Sequence, residues 1–550
     1  MMRKGFQICI SEQSVDDKTF FDEDYDSFII DNNRFKIVIE GVILNKKKLL
    51  KSSLYSSFSE YFISQYEAMN ILSINELDGE FRGFIIDKVN TKVYIFTNPT
   101  STQRVFYTKQ NNGIYVDSHL VRLSETLNNA SISLAPDINN IYKLLTFGNM
   151  LENQTPSENV FKIQDGHYIE IDIETQKLTE KKYFDLNHVE YYKKSKKNAV
   201  QDLNEIFSEN ILQEYEKDIE LKSKHFTLLS GGLDSRMALM YAENLGLKPD
   251  EIFCFSQSGY LDETISRKIT KDYNIPYIFR SLDGGSYLKY IDKLTELSEG
   301  CGLFTGGIHV QYAFENLQDK NFKIVHSGAI GDGILGGFNT VPYRKKPGEF
   351  KIVVNSKFLP KVKSDFDKIL SQYESEELFY LRNVAYNRTV LGAQVIQQYG
   401  YQTSPFMSKT LLEFAVSLPE KWKISQKLYL EWLNQCMPNA AKYVWEKTGM
   451  KPNAHWKNTV GTKLKKRITK IWNTKITNQK HKTSMYPYEF YFYNSKDIQN
   501  YYDNYFKDNI WRLEHYPELK SDVEFLFTQK DFFQKSQAVN VLAIFKLFFN

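Results

Sequence analysis

The residues of this chain best suited to chemistry lie in one short turn, Ser230-Gly231-Gly232-Leu233-Asp234-Ser235. Two glycines let backbone N–H groups approach a ligand closely and tolerate left-handed torsions. A helix-like pattern begins directly afterwards, so unpaired N–H groups and the positive end of a helix dipole point at the same spot. Ser230 and Ser235 add hydroxyl donors. Asp234 is the discordant member, because a carboxylate repels a polyanion. A bound Mg²⁺ between the two resolves the conflict. The turn therefore reads as a cradle for a phosphate chain and a metal. It is not the GxxxxGK pattern followed by Ser or Thr, since no lysine follows the glycines.

The flanking elements place that turn. His225-Phe-Thr-Leu-Leu-Ser230 reads as a strand and Ser235 to Gly246 as a helix. Strand-like EIFCFSQS, helix-like DETISRKITKDYN, and the strand-like runs YIFRSL and KIVHSG come next. Strands and helices alternating in this way predict a parallel sheet covered on both faces, with ligands at the carboxyl ends of its strands. Upstream, FKIVIEGVIL, GEFRGFIID, KVYIFTN, GIYVDS and GHYIEIDIE are short β-branched and aromatic runs punctuated by Asp, Asn and Gly. They predict stacked antiparallel sheets. Val200, Leu203, Ile206, Phe207 and Ile211 predict a helix joining the two regions. After about residue 370 the pattern is mainly helical.

The bulk numbers narrow the partners. A net charge of +3 over 550 residues argues against a nucleic-acid binder. Four widely spaced cysteines form no zinc motif and are expected to be buried free thiols in a reducing compartment. No uniformly apolar run of about 20 residues predicts a transmembrane segment, and MMRKGFQICISEQS does not read as a secretory signal, so a cytoplasmic location is expected.

The loop matches the pyrophosphate loop of the ATP pyrophosphatase superfamily, and the chain as a whole resembles the asparagine synthetase-like family. Ser327-Gly328-Ala329-Ile330-Gly331-Asp332-Gly333-Ile334-Leu335-Gly336-Gly337 resembles that family's second Gly-rich motif, SGEGxDExxGG. The resemblance implies that Asp332 shares the metal with Asp234. It also implies that Leu228, Ser327 and Gly328 contact the nucleotide. LPEKWKISQKLYLEWLNQCMP resembles the family's "LP…K…K…LR" helix, which implies that Lys427 neutralises charge on the reacting phosphates. Asp262-Glu263 resembles the family's acidic pair. DGEFRGFIIDKVNTKVYIFTN resembles the central hairpin of a class II glutaminase domain.

The implied fold is α/β: an Ntn-hydrolase-like stacked-sheet domain over 1–190, then a parallel α/β pyrophosphate-loop (HUP-like) domain over 191–550 with a helical C-terminal part. The implied activity is ATP- and Mg²⁺-dependent amide ligation that forms AMP and pyrophosphate. A carboxylate becomes an acyl-adenylate and an amine captures the acyl group.

Several positions depart from the family. An N-terminal nucleophilic cysteine is missing, because the chain begins Met1-Met2-Arg3, and Cys9 reads as a strand residue. The family's Asn-Gly-Glu is Glu40-Gly41-Val42. Ala329 and Gly333 replace two glutamates, and Arg-x-Pro-Phe-x-Asp is Thr403-Ser404-Pro405-Phe406-Met407-Ser408. These losses spare the ATP machinery and fall on glutamine hydrolysis and on the acceptor. The expectation is an amide ligase that does not hydrolyse glutamine. Its carboxylate and amine substrates, small-molecule, peptide or glycan, are not identified by the sequence. The alternatives are a conventional or ammonia-dependent asparagine synthetase and a non-catalytic scaffold. A basic stretch, 455–482, carries an apolar stripe at helical spacing. It is read as a helix packed on its own domain, with weak contact to a membrane surface or an acidic partner as the second reading. No residue sets the oligomeric state; a dimer is compatible with the sequence.

Overall fold

A computed structural model of the chain describes residues 4–11, 14–21, 25–110, 113–339, 344, 346–349, 351–452 and 484–549. The basic stretch 455–482 lies outside the described residues. The architecture is mixed α/β, with two antiparallel sheets, one parallel sheet and many helices.

The first eleven strands are β1 (Gly5–Ile10), β2 (Val15–Phe20), β3 (Phe28–Asp31), β4 (Phe35–Ile43), β5 (Gly79–Asp87), β6 (Lys92–Thr97), β7 (Phe106–Gln110), β8 (Gly113–Asp117), β9 (Val160–Lys162), β10 (His167–Asp172) and β11 (Lys177–Lys182). They form two sheets, ordered β2-β1-β8-β7-β9 and β11-β10-β6-β5-β4-β3. Apolar side chains of both close a dry layer that includes Phe6, Ile8, Val38, Phe84, Val93 and Ile95. Period-two alternation sends those residues inward. The runs FKIVIEGVIL and GEFRGFIID are β4 and β5, paired antiparallel with Glu40 directly opposite Arg82.

Helix α1 (Lys196–Glu220) leads into the second region, capped by Ser195, whose hydroxyl accepts from the Asn198 N–H. The parallel sheet follows: β12 (Phe226–Leu228), β13 (Glu251–Ser256), β14 (Tyr277–Ser281), β15 (Ile324–His326) and β16 (Tyr401–Thr403). Its order is β14-β13-β12-β15-β16. The chain winds outward one way from β12 and then restarts at β15 on the other side. The gap between β12 and β15 is thus the topological switch point, where the loops leaving adjacent strands diverge and open a crevice. Helices α2 (Asp234–Asn244) and α3 (Leu261–Asp272) follow β12 and β13.

One expectation changes. Cys254 and Cys301 are buried, but Cys9 and Cys436 are only half-buried; all four thiols are free. No helix among the described residues is long and apolar enough to cross a membrane. The aromatic run from Tyr486 is helical and supplies core, with Tyr491, Phe492, Tyr502 and Tyr505 buried.

Candidate functional site

The loops leaving β12 and β15 meet at the switch point. They interlock so closely that a Cβ on Gly328 would lie 2.3 Å from both the Asp234 carbonyl carbon and the Ser235 nitrogen. A Cβ on Gly331 would lie 2.8 Å from the Asp234 carboxyl carbon. Glycine is required at both positions by the approach of the other loop.

The first loop is held from within and from behind. The Ser230 N–H donates to Ser235 Oγ at 3.1 Å, and the two hydroxyls lie 3.0 Å apart. The Gly232 N–H donates to Ser230 Oγ at 3.2 Å. Gly231 faces away from the cavity: its N–H donates to Asp262 Oδ1 at 2.9 Å. Its carbonyl accepts from the Glu446 N–H at 3.1 Å and from Arg236 at 3.0 Å. Arg236 is fully buried and also donates to the carbonyls of Ala440, Tyr443 and Val444. One guanidinium thus ties the loop to the segment 440–446 through four hydrogen bonds from its two terminal nitrogens. Asp262 therefore anchors the loop, and burial pushes its carboxyl up to about 6.

The two loops bound a cavity of about 450 Å³, lined by Leu228, Ser230, Gly232, Asp234, Ser235, Gly328, Ala329 and Asp332 among others. Phe253, Phe255 and Met485 give it an apolar wall, and Gln426, Trp445, Glu446 and Lys447 give it another side. The structure thus gathers eight lining residues around the two motifs. Of the ten residues expected at the site, three do not line the cavity. Gly231 faces the other way. Ser327 is buried and spends both its N–H and its hydroxyl on the Thr403 carbonyl, at 3.0 and 2.8 Å. Lys427 begins helix α4 (Lys427–Cys436) as an exposed side chain. The lysine at the cavity is Lys447, whose Nζ lies 3.4 Å from Asp332 Oδ2.

Lys447 was not singled out in the sequence because a lone lysine after a helix has no periodic or motif signal. What marks it is position, since the Trp445–Met450 bridge and the Glu446–Gly231 hydrogen bond fold this segment back over the first loop. Gln426 was missed for a related reason. It and Ser425 both have left-handed torsions, φ of 59° and 57°, without being glycine. Such conformations cost on the order of 1–3 kcal/mol each and persist where surroundings enforce them. A Cβ on Gly336 would lie 1.9 Å from the Lys423 carbonyl, so the chain before α4 is pressed against the second loop. The Gln426 Nε2 is buried without a hydrogen-bond partner at the cavity.

Asp234 dominates the electrostatics. Oδ2 accepts from the Asp332 N–H at 2.8 Å, while Oδ1 makes no hydrogen bond of ordinary geometry; the buried Tyr429 hydroxyl, its neighbour, makes none either. Burial, and then the neighbouring Asp332 carboxyl, push its carboxyl well above the ordinary carboxylate range. Two carboxylates side by side with an unpaired oxygen suit a hard divalent cation, which takes oxygen ligands and removes the mutual repulsion. The donor set thus fits Mg²⁺ held by Asp234 and Asp332.

No family model matches the chain. The curated asparagine synthetase [glutamine-hydrolyzing] 2 of Bacillus subtilis (strain 168) is 23% identical over 343 residues, which are 57% of this chain and 44% of that protein. The match therefore spans less than half of the relative's length. Among solved structures, the allosteric regulatory enzyme of purine biosynthesis is similar at a TM-score of 0.23 and 9% identity, over 50% of this chain and 74% of the other. NMN synthetase from Francisella tularensis reaches a TM-score of 0.19 and 17% identity, over 43% of this chain and 97% of the other. Overlap this loose carries no information about ligand or activity.

Proposed function

We propose that this chain is an ATP-dependent amide ligase that forms AMP and pyrophosphate and works without hydrolysing glutamine. A carboxylate oxygen bonds to the α-phosphorus of ATP, pyrophosphate leaves, and an amine displaces AMP from the acyl carbon and gives up a proton. The observation that carries the reading is Asp234: a buried carboxylate with an unpaired oxygen, facing Asp332 across two interlocked glycine loops at the switch point of a parallel sheet. The similarity to a curated asparagine synthetase supports the same class of chemistry.

In this reading the loop and the first turn of α2 take the departing pyrophosphate, with N–H groups and the Ser230 and Ser235 hydroxyls as donors. Mg²⁺ on Asp234 and Asp332 supplies charge neutralisation for the phosphates. Lys447, rather than Lys427, is positioned to offset negative charge beside Asp332. The Gln426 amide is free to donate to an oxygen in the cavity. Phe253, Phe255 and Met485 exclude water from one wall.

Glutamine hydrolysis is not expected, because Glu40, in the stretch Glu40-Gly41-Val42 that stands where the family has Asn-Gly-Glu, is committed to a buried ion pair. Arg82 donates to Glu40 Oε2 at 2.7 Å, to the Arg104 and Ser118 carbonyls at 2.8 and 3.1 Å, and to the Lys4 carbonyl at 2.8 Å. Tyr401 donates to the other Glu40 oxygen. Both charged side chains are almost fully buried.

ATP–pyrophosphate exchange across a panel of carboxylates tests the proposal. Exchange with one carboxylate, lost in Asp234→Ala, supports it. No exchange together with no Mg²⁺-ATP binding overturns it in favour of a scaffold. Asparagine formed from aspartate and ammonium identifies the conventional synthetase instead.

A further inference from the structure

On the face of the parallel sheet covered by α1, Asp218, His225 and His326 converge from three elements. Asp218 lies on α1, His225 immediately precedes β12, and His326 ends β15. Strands β12 and β15 pair with Thr227 opposite His326, so His225, two residues before Thr227, shares a face with His326. Helix α1 packs on that face. Asp218 Oδ2 lies 2.9 Å from His225 Nδ1 and 2.5 Å from His326 Nε2. The three donor atoms all fall within 4.8 Å of one another.

We propose that Asp218, His225 and His326 form a binding site for a transition-metal ion, Zn²⁺ by donor chemistry. Two imidazoles and one carboxylate suit a borderline cation, and all-oxygen Mg²⁺ or Ca²⁺ sites do not use histidine. An ion here would require Asp218 to open from its two direct histidine contacts, so that the three donors surround it with bonds of about 2.0–2.2 Å.

Two further observations point the same way. Asp218 is fully buried, and its second oxygen, Oδ1, has no hydrogen-bond partner among the described residues. Also, the ring nitrogen of His326 that faces away from Asp218, Nδ1, lies 3.2 Å from Glu214 Oε2. A carboxylate behind a ligand histidine is the arrangement that fixes its tautomer and raises its basicity in metal sites. Glu214 and Asp218 are four residues apart on α1, which puts the ligand and the supporting group on one helical face. Tyr215 stacks on the His326 ring, with centroids 4.2 Å apart and planes 12° apart, and holds its orientation.

His225 is the least buried of the three, with 15% of its side chain exposed, and provides the approach from solvent. The ion would pin α1 to the two strands that carry the glycine loops, and His326 immediately precedes Ser327. This site is independent of the proposed ligase activity.

The test is Co²⁺ titration of the full chain after removal of metal with a chelator. Tetrahedral Co²⁺ bound through histidine has strong visible ligand-field bands. The expected result is one equivalent bound with those bands, retained in Asp234→Ala and lost in His225→Asn. Glu214→Gln keeps a partner for His326 and is expected to weaken binding about 10–100-fold. Chelation that lowers the melting temperature, reversed by Zn²⁺, supports the same assignment. Absence of bands in the unmodified chain overturns it, as do bands that survive His225→Asn or vanish in Asp234→Ala. Metal-free melting of His225→Asn checks its fold, and Glu214→Gln decides the matter should that variant fail to fold.

Discussion

Two charged clusters in this molecule are built from the same kinds of residue and finished in opposite ways. Within the stacked sheets, Glu40 and Arg82 face each other across β4 and β5. Every oxygen of Glu40 has a partner, and Arg82 is shared among three carbonyls. At the switch point, Asp234 lies beside another carboxylate with one oxygen unpaired and a cavity in front of it. A buried pair with all its hydrogen bonds made has nothing left to offer a ligand. A buried carboxylate left unpaired is costly in isolation and persists where a ligand completes it. By this criterion the first cluster is built as a structural plug, and the second is the one proposed above as a binding site. Tyr401, which caps the plug, begins β16, the strand next to β15. The plug therefore also docks the stacked sheets onto the sheet that carries the loops.

The contrast can be broken in several ways. The largest effect is expected from Asp234→Ala, which should lower pyrophosphate exchange on the order of 10³-fold while leaving urea unfolding near the unmodified value. An equal loss of stability would make Asp234 a structural group. Next, Arg82→Met leaves a buried, unpaired Glu40 and should cost about 3–5 kcal/mol in urea unfolding. Adding Glu40→Gln should recover part of that loss. Exchange activity in the folded fraction should stay within a factor of a few; a collapse of exchange at unchanged stability would mean the plug belongs to the active machinery.

Glu80 sharpens the comparison through pH. Burial pushes its carboxyl up to about 7, opposed by hydrogen bonds from Gln103 and Thr102. Asp78, also raised by burial, to about 6, acts in the same direction. The native state holds protons that the unfolded chain has released above its carboxylate pKa of about 4.3. The stability these groups contribute is therefore complete below about pH 4.3 and is lost as the pH rises through their folded values. Glu80→Gln keeps an oxygen acceptor for Thr102 and Gln103. It should flatten the fall between about pH 4.3 and 7 and gain up to about 4 kcal/mol at pH 8 relative to the unmodified chain. Unfolding free energies across that range test it, and an unchanged slope rules Glu80 out as its source.

The smallest effects separate two lysines. Lys447→Met should slow exchange roughly tenfold, equivalent to about 1.4 kcal/mol of transition-state stabilisation. Lys427→Met should change it by less than about twofold, as for an exposed side chain. The reverse ranking would return the charge-neutralising role to Lys427.

Local patterns account for much of what could be read without coordinates. β-Branched alternation marked β4, β5, β6, β8 and β10, and strand-helix alternation marked the parallel sheet, because both signals are contained within a few residues. Short or charged strands escaped: β2 reads VDDKTF and β11 reads KLTEKK, polar edge sequences without an apolar face. The glycine loops were legible because torsional freedom, helix start and carboxylate are adjacent in sequence. Gly231 and Ser327 lie within those motifs yet turn away from the cavity, and that direction is set by Asp262, Glu446 and Thr403, which are distant in sequence.

The sequence by itself determined a Gly-rich turn between a strand and a helix and, through motif resemblance, singled out Asp234 and Asp332 as a pair. Each motif consists of residues that are neighbours along the chain. Only the tertiary structure decided that Lys447 and not Lys427 lines the cavity, that Arg82 and Glu40 pair in the interior, and that Asp218, His225 and His326 converge. Each outcome brings together at least one pair of residues about 40 or more positions apart. Their meeting is fixed by sheet order and core packing, which no local pattern encodes.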